Sequence, residues 1–335
     1  MNTAELRLTA EEGCTLSIVV PMLNEEAGLP ALHERLSAAV ADIGGGYEIL
    51  YVDDGSTDGT PEVLARLQAQ CRNVSMLRFS RNFGKELAIT AGLRHACGAA
   101  VVVIDADLQH PPEVIPDMVA AWRKGADVVN MRRRSRAGEP WLKRTAAHLF
   151  YRTINELSDT PIPENVGDFR LLSRRAVNAL NQMPERNRFM KGLFSWIGFR
   201  QATIDFDAGL RATGRSKWPF GQLWALAIEG VTAFSIAPLK LASKVGLVSA
   251  LLAFAAGLYF LVRTMLFGDP VQGFPTLIVI VLMLGGLQLM AIGIVGEYLG
   301  RLFLESKQRP LYLVESYVPA SEFDPPDKDK AVRGA

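Results

Sequence analysis

Cysteine is scarce in this chain of 335 residues: it has Cys14, Cys71 and Cys97, odd in number and without CxxC spacing. That pattern supplies neither a disulfide framework nor a zinc site, and it places the working part of the protein in a reducing compartment. Net charge is scarce as well. Lys and Arg number 36 against 35 Asp and Glu, a formal charge of +1, so there is no overall basic field to gather nucleic acid. The signatures of the common nucleotide folds are missing. The first apolar run is not followed by GxGxxG, and GxxxxGK(S/T) does not occur, which disfavours a dinucleotide enzyme and a P-loop kinase. A GxSxG nucleophile elbow is absent too. The first fifteen residues carry Glu5, Glu11 and Glu12 without a long apolar run, so a secretory signal peptide is not expected.

Apolar residues make up 49% of the chain and are unevenly spread. Short apolar runs at 16–21, 47–52, 74–79, 100–104 and 127–131 alternate with amphipathic stretches of helical length at 28–43, 61–71, 85–97 and 112–124. Alternating strand and helix predicts an α/β domain, a mostly parallel sheet with helices on both faces. Ligands of such sheets sit at the carboxyl ends of the strands. Polar residues cluster at those ends here: Asn24 and Glu25, then Asp53 to Ser56, then Asp105 and Asp107. Beyond residue 131 comes a basic run (Arg132, Arg133, Arg134, Arg136), then a predicted helix with Trp141, Lys143 and Arg144, and polar loops at 158–168 and 207–220.

Two later segments are long enough to cross a bilayer, 246–262 with an extension to 267, and 274–296; about 20 apolar residues span the hydrocarbon. Residues 221–241, rich in Trp, Phe and Leu, read as a helix along the membrane surface. Lys240 and Lys244 precede the first span, and Arg301, Lys307 and Arg309 follow the second, while the connecting loop sets Arg263 against Asp269. The positive-inside rule therefore puts both ends in the cytoplasm and the loop outside. The expected division is a tail at 1–15, a catalytic domain at 16–220, a surface helix at 221–241, spans at 245–267 and 274–296, and a cytoplasmic tail at 297–335.

Asp105-Ala106-Asp107 carries the strongest chemical signal. Residues two apart share a face of an extended chain, so two carboxylates at a strand end can hold a hard divalent cation that bridges the phosphates of a nucleotide. The apolar strand before it and Leu108-Gln109-His110-Pro111-Pro112 after it set this DxD apart from a solvated turn. In the block from Asp53 to Gly59, Gly55 permits a tight turn and Asp54 reads as a ligand for ribose or base. Asp58 reads as a helix cap; Thr60 is the alternative cap, and Pro61 lies in the first turn.

Three stretches together, Val19 to Glu26, Asp53 to Thr60 and Asp105 to Pro112, resemble family 2 glycosyltransferases of the GT-A fold. The runs Arg81 to Glu86, Gly167 to Arg174 and Arg211 to Trp218, with Gly296 to Arg301 at the exit of the second span, are similar to polyprenyl-phosphate hexosyltransferases, especially bactoprenol glucosyltransferases; dolichol-phosphate mannose synthases are more distant. The likeness implies that Pro21, Leu23, Glu25, Val52 and Asp54 line the nucleotide pocket, although the family often has an aromatic residue where Leu23 stands. It implies that Asp105, Asp107 and Gln109 surround Mg²⁺ or Mn²⁺ and the diphosphate. Arg211 and Lys217 would neutralise the departing diphosphate. Arg133 would meet the lipid phosphate with help from Arg136, unless that stretch is a membrane-surface patch. Asp168 would face the sugar hydroxyls or the acceptor, or else cap or pair with Arg170. UDP-glucose is the expected donor and undecaprenyl phosphate the acceptor, with a homotetramer implied by the resemblance. GDP-mannose, UDP-N-acetylglucosamine and a UDP-aminopentose remain alternative donors. A processive synthase is disfavoured by the missing QxxRW element, and a non-catalytic adaptor by the intact Asp105, Asp107, Arg211 and Lys217.

Overall fold

The computed structural model describes residues 14–133, 166–186, 188, 190–206, 237–267 and 274–321. It divides into two units, one holding the sheet domain together with residues 310–335, the other residues 153–159 and 219–309.

The sheet domain follows the alternation read from the sequence. Strand β1 (Cys14–Met22) leads to α1 (Leu29–Val40), β2 (Gly46–Asp53), α2 (Thr60–Gln70), β3 (Val74–Phe79), α3 (Lys85–His95) and β4 (Ala100–Val103). A 3₁₀ turn (Pro112–Val114) and α4 (Ile115–Arg123) precede β5 (Val128–Arg133). Then come β6 (Val166–Ser173), α5 (Arg174–Gln182), α6 (Met190–Trp196) and β7 (Gln201–Phe206). Strands β1, β2 and β4 are buried almost end to end, as expected of strands covered on both faces. One face packs Leu16, Ile18 and Val20 of β1 against Leu32 and Leu36 of α1 and Met118 of α4. Each such side chain contributes about 1.5–3 kcal/mol by leaving water. The other face takes α3, whose Ala88, Ile89 and Leu93 are buried. Gly92 is required there, since a Cβ would lie 2.1 Å from Val19 Cγ1.

Two features depart from the sequence reading. Residues 158–168 were expected as a loop, yet β6 begins at Val166 and inserts antiparallel between β4 and β5. This makes the sheet mixed, in the order β7-β5-β6-β4-β1-β2-β3-β8. The last of these strands, β8 (Val314–Val318), lies in the segment expected as a tail, and it pairs antiparallel with β3. Tyr312 stacks on Phe79 at 4.8 Å, and Ala320 N–H donates to Ser75 Oγ at 2.8 Å. The expected tail thus closes an edge of the catalytic sheet, where an unpaired row of backbone groups would otherwise invite another chain. All three cysteines are free, with Cys14 and Cys97 buried and their sulfurs 2.9 Å apart.

The second unit contains α7 (Ala237–Phe267) and α8 (Phe274–Ser306), 31 and 33 residues long. At 1.5 Å per residue each is about 45–50 Å, more than a hydrocarbon core requires. Apolar side chains such as Phe254, Met265, Leu289 and Leu304 are exposed along both. Residues 283–306 pass the length and composition test for a span, and 242–256 form a shorter apolar stretch. Both helices overrun the expected spans: α7 takes in 237–241 from the predicted surface helix, and α8 continues ten residues past 296. The rest of that surface helix lies outside the described residues.

Candidate active site

The carboxyl ends of β1, β2 and β4 meet around a cleft of about 290 Å³. The loops that build it are tied to one another by side chains. Asn24, in the left-handed region at φ 56°, donates its backbone N–H to Ser56 Oγ and accepts the Thr57 N–H on Oδ1. Asp53 Oδ1 accepts from Ser56 N–H, which closes the turn after β2. Asp58 accepts from the backbone N–H groups of Thr60 and Glu26, but the cap position of α2 is Gly59, one residue on, so Asp58 ties the turn to the β1 loop where a cap was expected; against desolvation, the Thr60 side chain and these backbone bonds keep its pKa below the usual carboxylate range.

Asp54 is buried at the cleft wall and spends both carboxylate oxygens on backbone, accepting Phe83 N–H at 2.7 Å and Gly84 N–H at 2.9 Å. It therefore hangs the 81–84 loop onto β2. Gly55 completes the joint: its φ is +75°, and a Cβ there would lie 2.5 Å from the Arg81 carbonyl carbon. The loop brings Asn82, Gly84, Lys85 and Ala88 to the cleft beside Pro21, Leu23 and Glu25.

Strand β4 ends at Val103, so Asp105 and Asp107 stand in the turn that follows it and not on one face of an extended strand as expected; with His110 beside them they place ligand atoms within 4.8 Å of one another. Leu108 takes φ 59°, and that turn folds Gln109 back so that its backbone N–H and its side-chain amide donate to the two oxygens of Asp107 at 3.1 and 2.7 Å. Gln109, expected beside a metal, thus braces Asp107, and His110 is the third potential ligand. His110 packs between Phe169 and Phe206, and burial lowers its pKa despite the nearby carboxylates, so its ring is neutral near pH 7. Two carboxylates and a neutral imidazole can ligate a divalent cation and leave positions open.

Lys85 crosses the cleft from α3. Its ammonium lies 2.7 Å from Asp105 Oδ1 and 2.6 Å from Asp168 Oδ2. Desolvation would lower its pKa, but the two carboxylates together outweigh that and raise it. Asp168, brought in by β6, pairs directly with Lys85. Arg170, the partner weighed from sequence, lies over the Phe194 ring at 3.8 Å and donates to the Gly167 carbonyl. Burial pushes the Arg170 pKa down to about 10, with Asp168 and Glu86 opposing the shift. Next to Lys85, burial and then the charge of Asp168 push Glu86 up to about 7.

The expected residues therefore separate into groups. Pro21, Leu23, Glu25, Asp54, Asp105 and Asp107 line the cleft. Val52 does not: it is fully buried within β2, in register with Pro21. Arg133 stands at the end of β5 outside the cleft lining, and its Nε is buried with no hydrogen-bond partner among the described residues. Arg136, Arg211 and Lys217 lie outside the described residues. Sequence reasoning missed Lys85 and His110 as site residues, though both stood inside quoted motifs.

A mixed α/β sheet of GT-A type with a paired-carboxylate cleft at the head of its parallel strands defines a nucleotide-sugar transferase class. Residues 17–180 match the model of glycosyl transferase family 2, and residues 237–302 match that of the GtrB C-terminal hairpin. The chain is 46% identical to an uncharacterized glycosyltransferase of Synechocystis sp., over 89% of this chain and 94% of that one. It is 43% identical to the bactoprenol glucosyl transferase of Shigella phage SfV, over 90% and 98%. A putative glycosyltransferase of Bacillus subtilis, CsbB, is 40% identical over 95% and 97%. The chain belongs to glycosyl transferase family 2 and is a glycosyltransferase.

Proposed function

We propose that this protein transfers one glucose from UDP-glucose to undecaprenyl phosphate, with inversion, at the cytoplasmic face of a bacterial inner membrane. The product, a polyprenyl-phosphate sugar, would serve cell-envelope glycan modification. The observation that carries the reaction class is the floor of the cleft, where Asp105, Asp107 and His110 converge at the carboxyl end of β4. The choice of glucose and of the lipid is supported by the near-full-length similarity to proteins named bactoprenol glucosyl transferases.

In this reading Pro21, Leu23 and Glu25 flank the nucleotide, and Asp54 supports it through the loop that it holds. Asp105 and Asp107, with His110, would hold the cation, which supplies charge neutralisation for the diphosphate when bound. The acceptor is a phosphate monoester, already ionised near neutral pH, so it needs placement more than a general base. Its oxygen forms the new bond to the anomeric carbon as the bond to the diphosphate oxygen breaks, and UDP leaves. Asp168 stays anionic, since Lys85 and Lys191 outweigh its desolvation and lower its pKa. It is thereby fitted to accept a hydrogen bond from a sugar hydroxyl. Arg211 and Lys217 are assigned to the leaving diphosphate and Arg133, with Arg136, to the lipid phosphate.

The exposed apolar surfaces of α7 and α8 support a membrane hairpin. Because β8 rejoins the catalytic sheet, the chain that leaves the sheet domain before the hairpin returns to it afterwards. A spanning hairpin must then cross the bilayer twice, with its flanks on one side, in agreement with the charge asymmetry.

The test uses membranes containing the protein, undecaprenyl phosphate, and separately labelled UDP-glucose, GDP-mannose and UDP-N-acetylglucosamine. Labelled lipid is expected from UDP-glucose. EDTA and Asp107→Asn should each lower turnover by about 100-fold or more, as loss of charge stabilisation at a reacting phosphate does. Transfer from GDP-mannose alone would refute the donor, and full turnover in EDTA would refute the cation.

A further inference from the structure

Lys85 opens α3, and Gly84 before it, at φ +103°, turns the chain so that the lysine reaches over the cleft. Its side chain is 45% exposed, whereas those of the residues it reaches, Asp105 and Asp168, are 20% and 10% exposed. The ammonium is therefore held at the bottom of an open cleft by groups from two different strand ends. Asp105 is also one of the three residues whose ligand atoms converge for a cation. One carboxylate thus has two claimants, an ammonium already in place and a divalent ion that would have to come within about 2.0–2.2 Å of its oxygens. Lys85 holds Oδ1, and a dication on the same carboxylate would be repelled by that ammonium in a partly desolvated cleft.

We infer that Lys85 is a built-in counter-cation that occupies Asp105 in the donor-free enzyme and must release it for a divalent ion to bind, so that the ion enters together with the donor diphosphate. This rests on the proposed role of Asp105 and Asp107 as cation ligands. Exchanging a pre-placed ammonium for a hydrated dication gains little by itself, because the ammonium already offsets the carboxylate charge. The diphosphate brings further negative charge, and the balance then favours both cations. On leaving Asp105 the ammonium stays with Asp168, which has no other ion pair among the described residues, the neighbouring Arg170 guanidinium being committed to Phe194 and the Gly167 carbonyl. Lys85 is in this sense a positioning residue that sets the order of binding.

The experiment is calorimetric titration of the full chain in detergent with Mn²⁺, with and without UDP, a readout that requires no turnover. The wild type should bind Mn²⁺ weakly alone and more tightly with UDP. Lys85→Met should bind Mn²⁺ without UDP about 10-fold or more tightly than the wild type, the scale of one charge-assisted contact, and lose most of the UDP dependence. Lys191→Met is the control. Its charge bears on Asp168 and Glu86, with no ion pair to Asp105 among the described residues, and its change should stay under about 3-fold. If Lys85→Met fails to fold, Lys85→Gln retains a polar N–H donor without the charge, and the same gain is expected. No gain at Lys85, or an equal gain at Lys85 and Lys191, overturns the inference while the cation reading stands. Failure of every form to bind Mn²⁺ even with UDP overturns both.

Discussion

Glu86 shows what the site does to a single side chain. It sits beside Lys85, facing Asp168 of β6 and Lys191 of α6, with the buried Arg170 near, and its Oε2 accepts the Met190 N–H at 3.3 Å. Burial, then Asp168, raise its pKa to about 7 from 4.5, against the pull of Lys85 and Lys191. The folded state then holds a proton that the unfolded chain has released between pH 4.5 and 7. Stability from this group is full below about pH 4.5 and is lost as pH rises through 7, leaving a deficit on the order of 3 kcal/mol. Glu86→Gln removes that deficit and keeps an oxygen for Met190. The variant should melt higher than the wild type at pH 8 and close to it at pH 5, as followed by thermal unfolding in detergent. An equal difference at both pH values would show that the carboxylate is not the cause. None of this was legible locally: Glu86 reads as an ordinary first-turn acid of α3, and only β6 and α6 make it a buried one.

At the scale of elements, the joint between the β2 turn and the 81–84 loop determines whether the donor cleft exists. Gly55 combines a positive φ with backbone neighbours closer than 3 Å to a would-be Cβ, and those neighbours cannot step aside as a flexible side chain would. Gly55→Ala should cost about 2 kcal/mol or more and should also weaken UDP binding, because it pushes away the loop that brings Asn82 and Gly84 to the cleft. Gly44→Ala separates the two effects. Gly44 has φ +57° with nothing within 4 Å, so about 1 kcal/mol of backbone strain is expected with UDP affinity unchanged. Melting and calorimetry on both variants check this; unchanged UDP affinity in Gly55→Ala would refute the joint. The turn at Gly55 was legible from sequence, but the loop that packs against it was not. Strand β6 was half legible for a related reason. Its first residues follow a Pro- and Asn-containing segment that reads as loop, and they become strand because β4 and β5 offer open edges on both sides.

For the whole molecule, the path of the chain limits its topology. The hairpin of α7 and α8 is bracketed by segments of one sheet domain, since β8 pairs with β3. A cysteine placed at Gln272 should react with an impermeant reagent added outside the cell. One placed at Ser321, which follows β8 and donates to the Arg72 carbonyl, should not. Labelling at 321 from outside, with protection at 272, would reverse the orientation.

The sequence by itself determined the features that repeat along the chain or lie within a few residues: the strand–helix alternation, the pair Asp105 and Asp107 just beyond a strand, the turn at Gly55, and two apolar segments too long for ordinary core helices. Periodicity and hydropathy are local quantities, so a single chain displays them. Tertiary structure decided the partners: Lys85 between Asp105 and Asp168, Asp54 carrying the 81–84 loop, His110 joining the two aspartates, and β8 closing the β3 edge. A charge pair or a strand pair is defined by distance in space. The residues that meet here come from elements far apart in sequence, and only packing of the sheet against its helices brings them within a few ångströms.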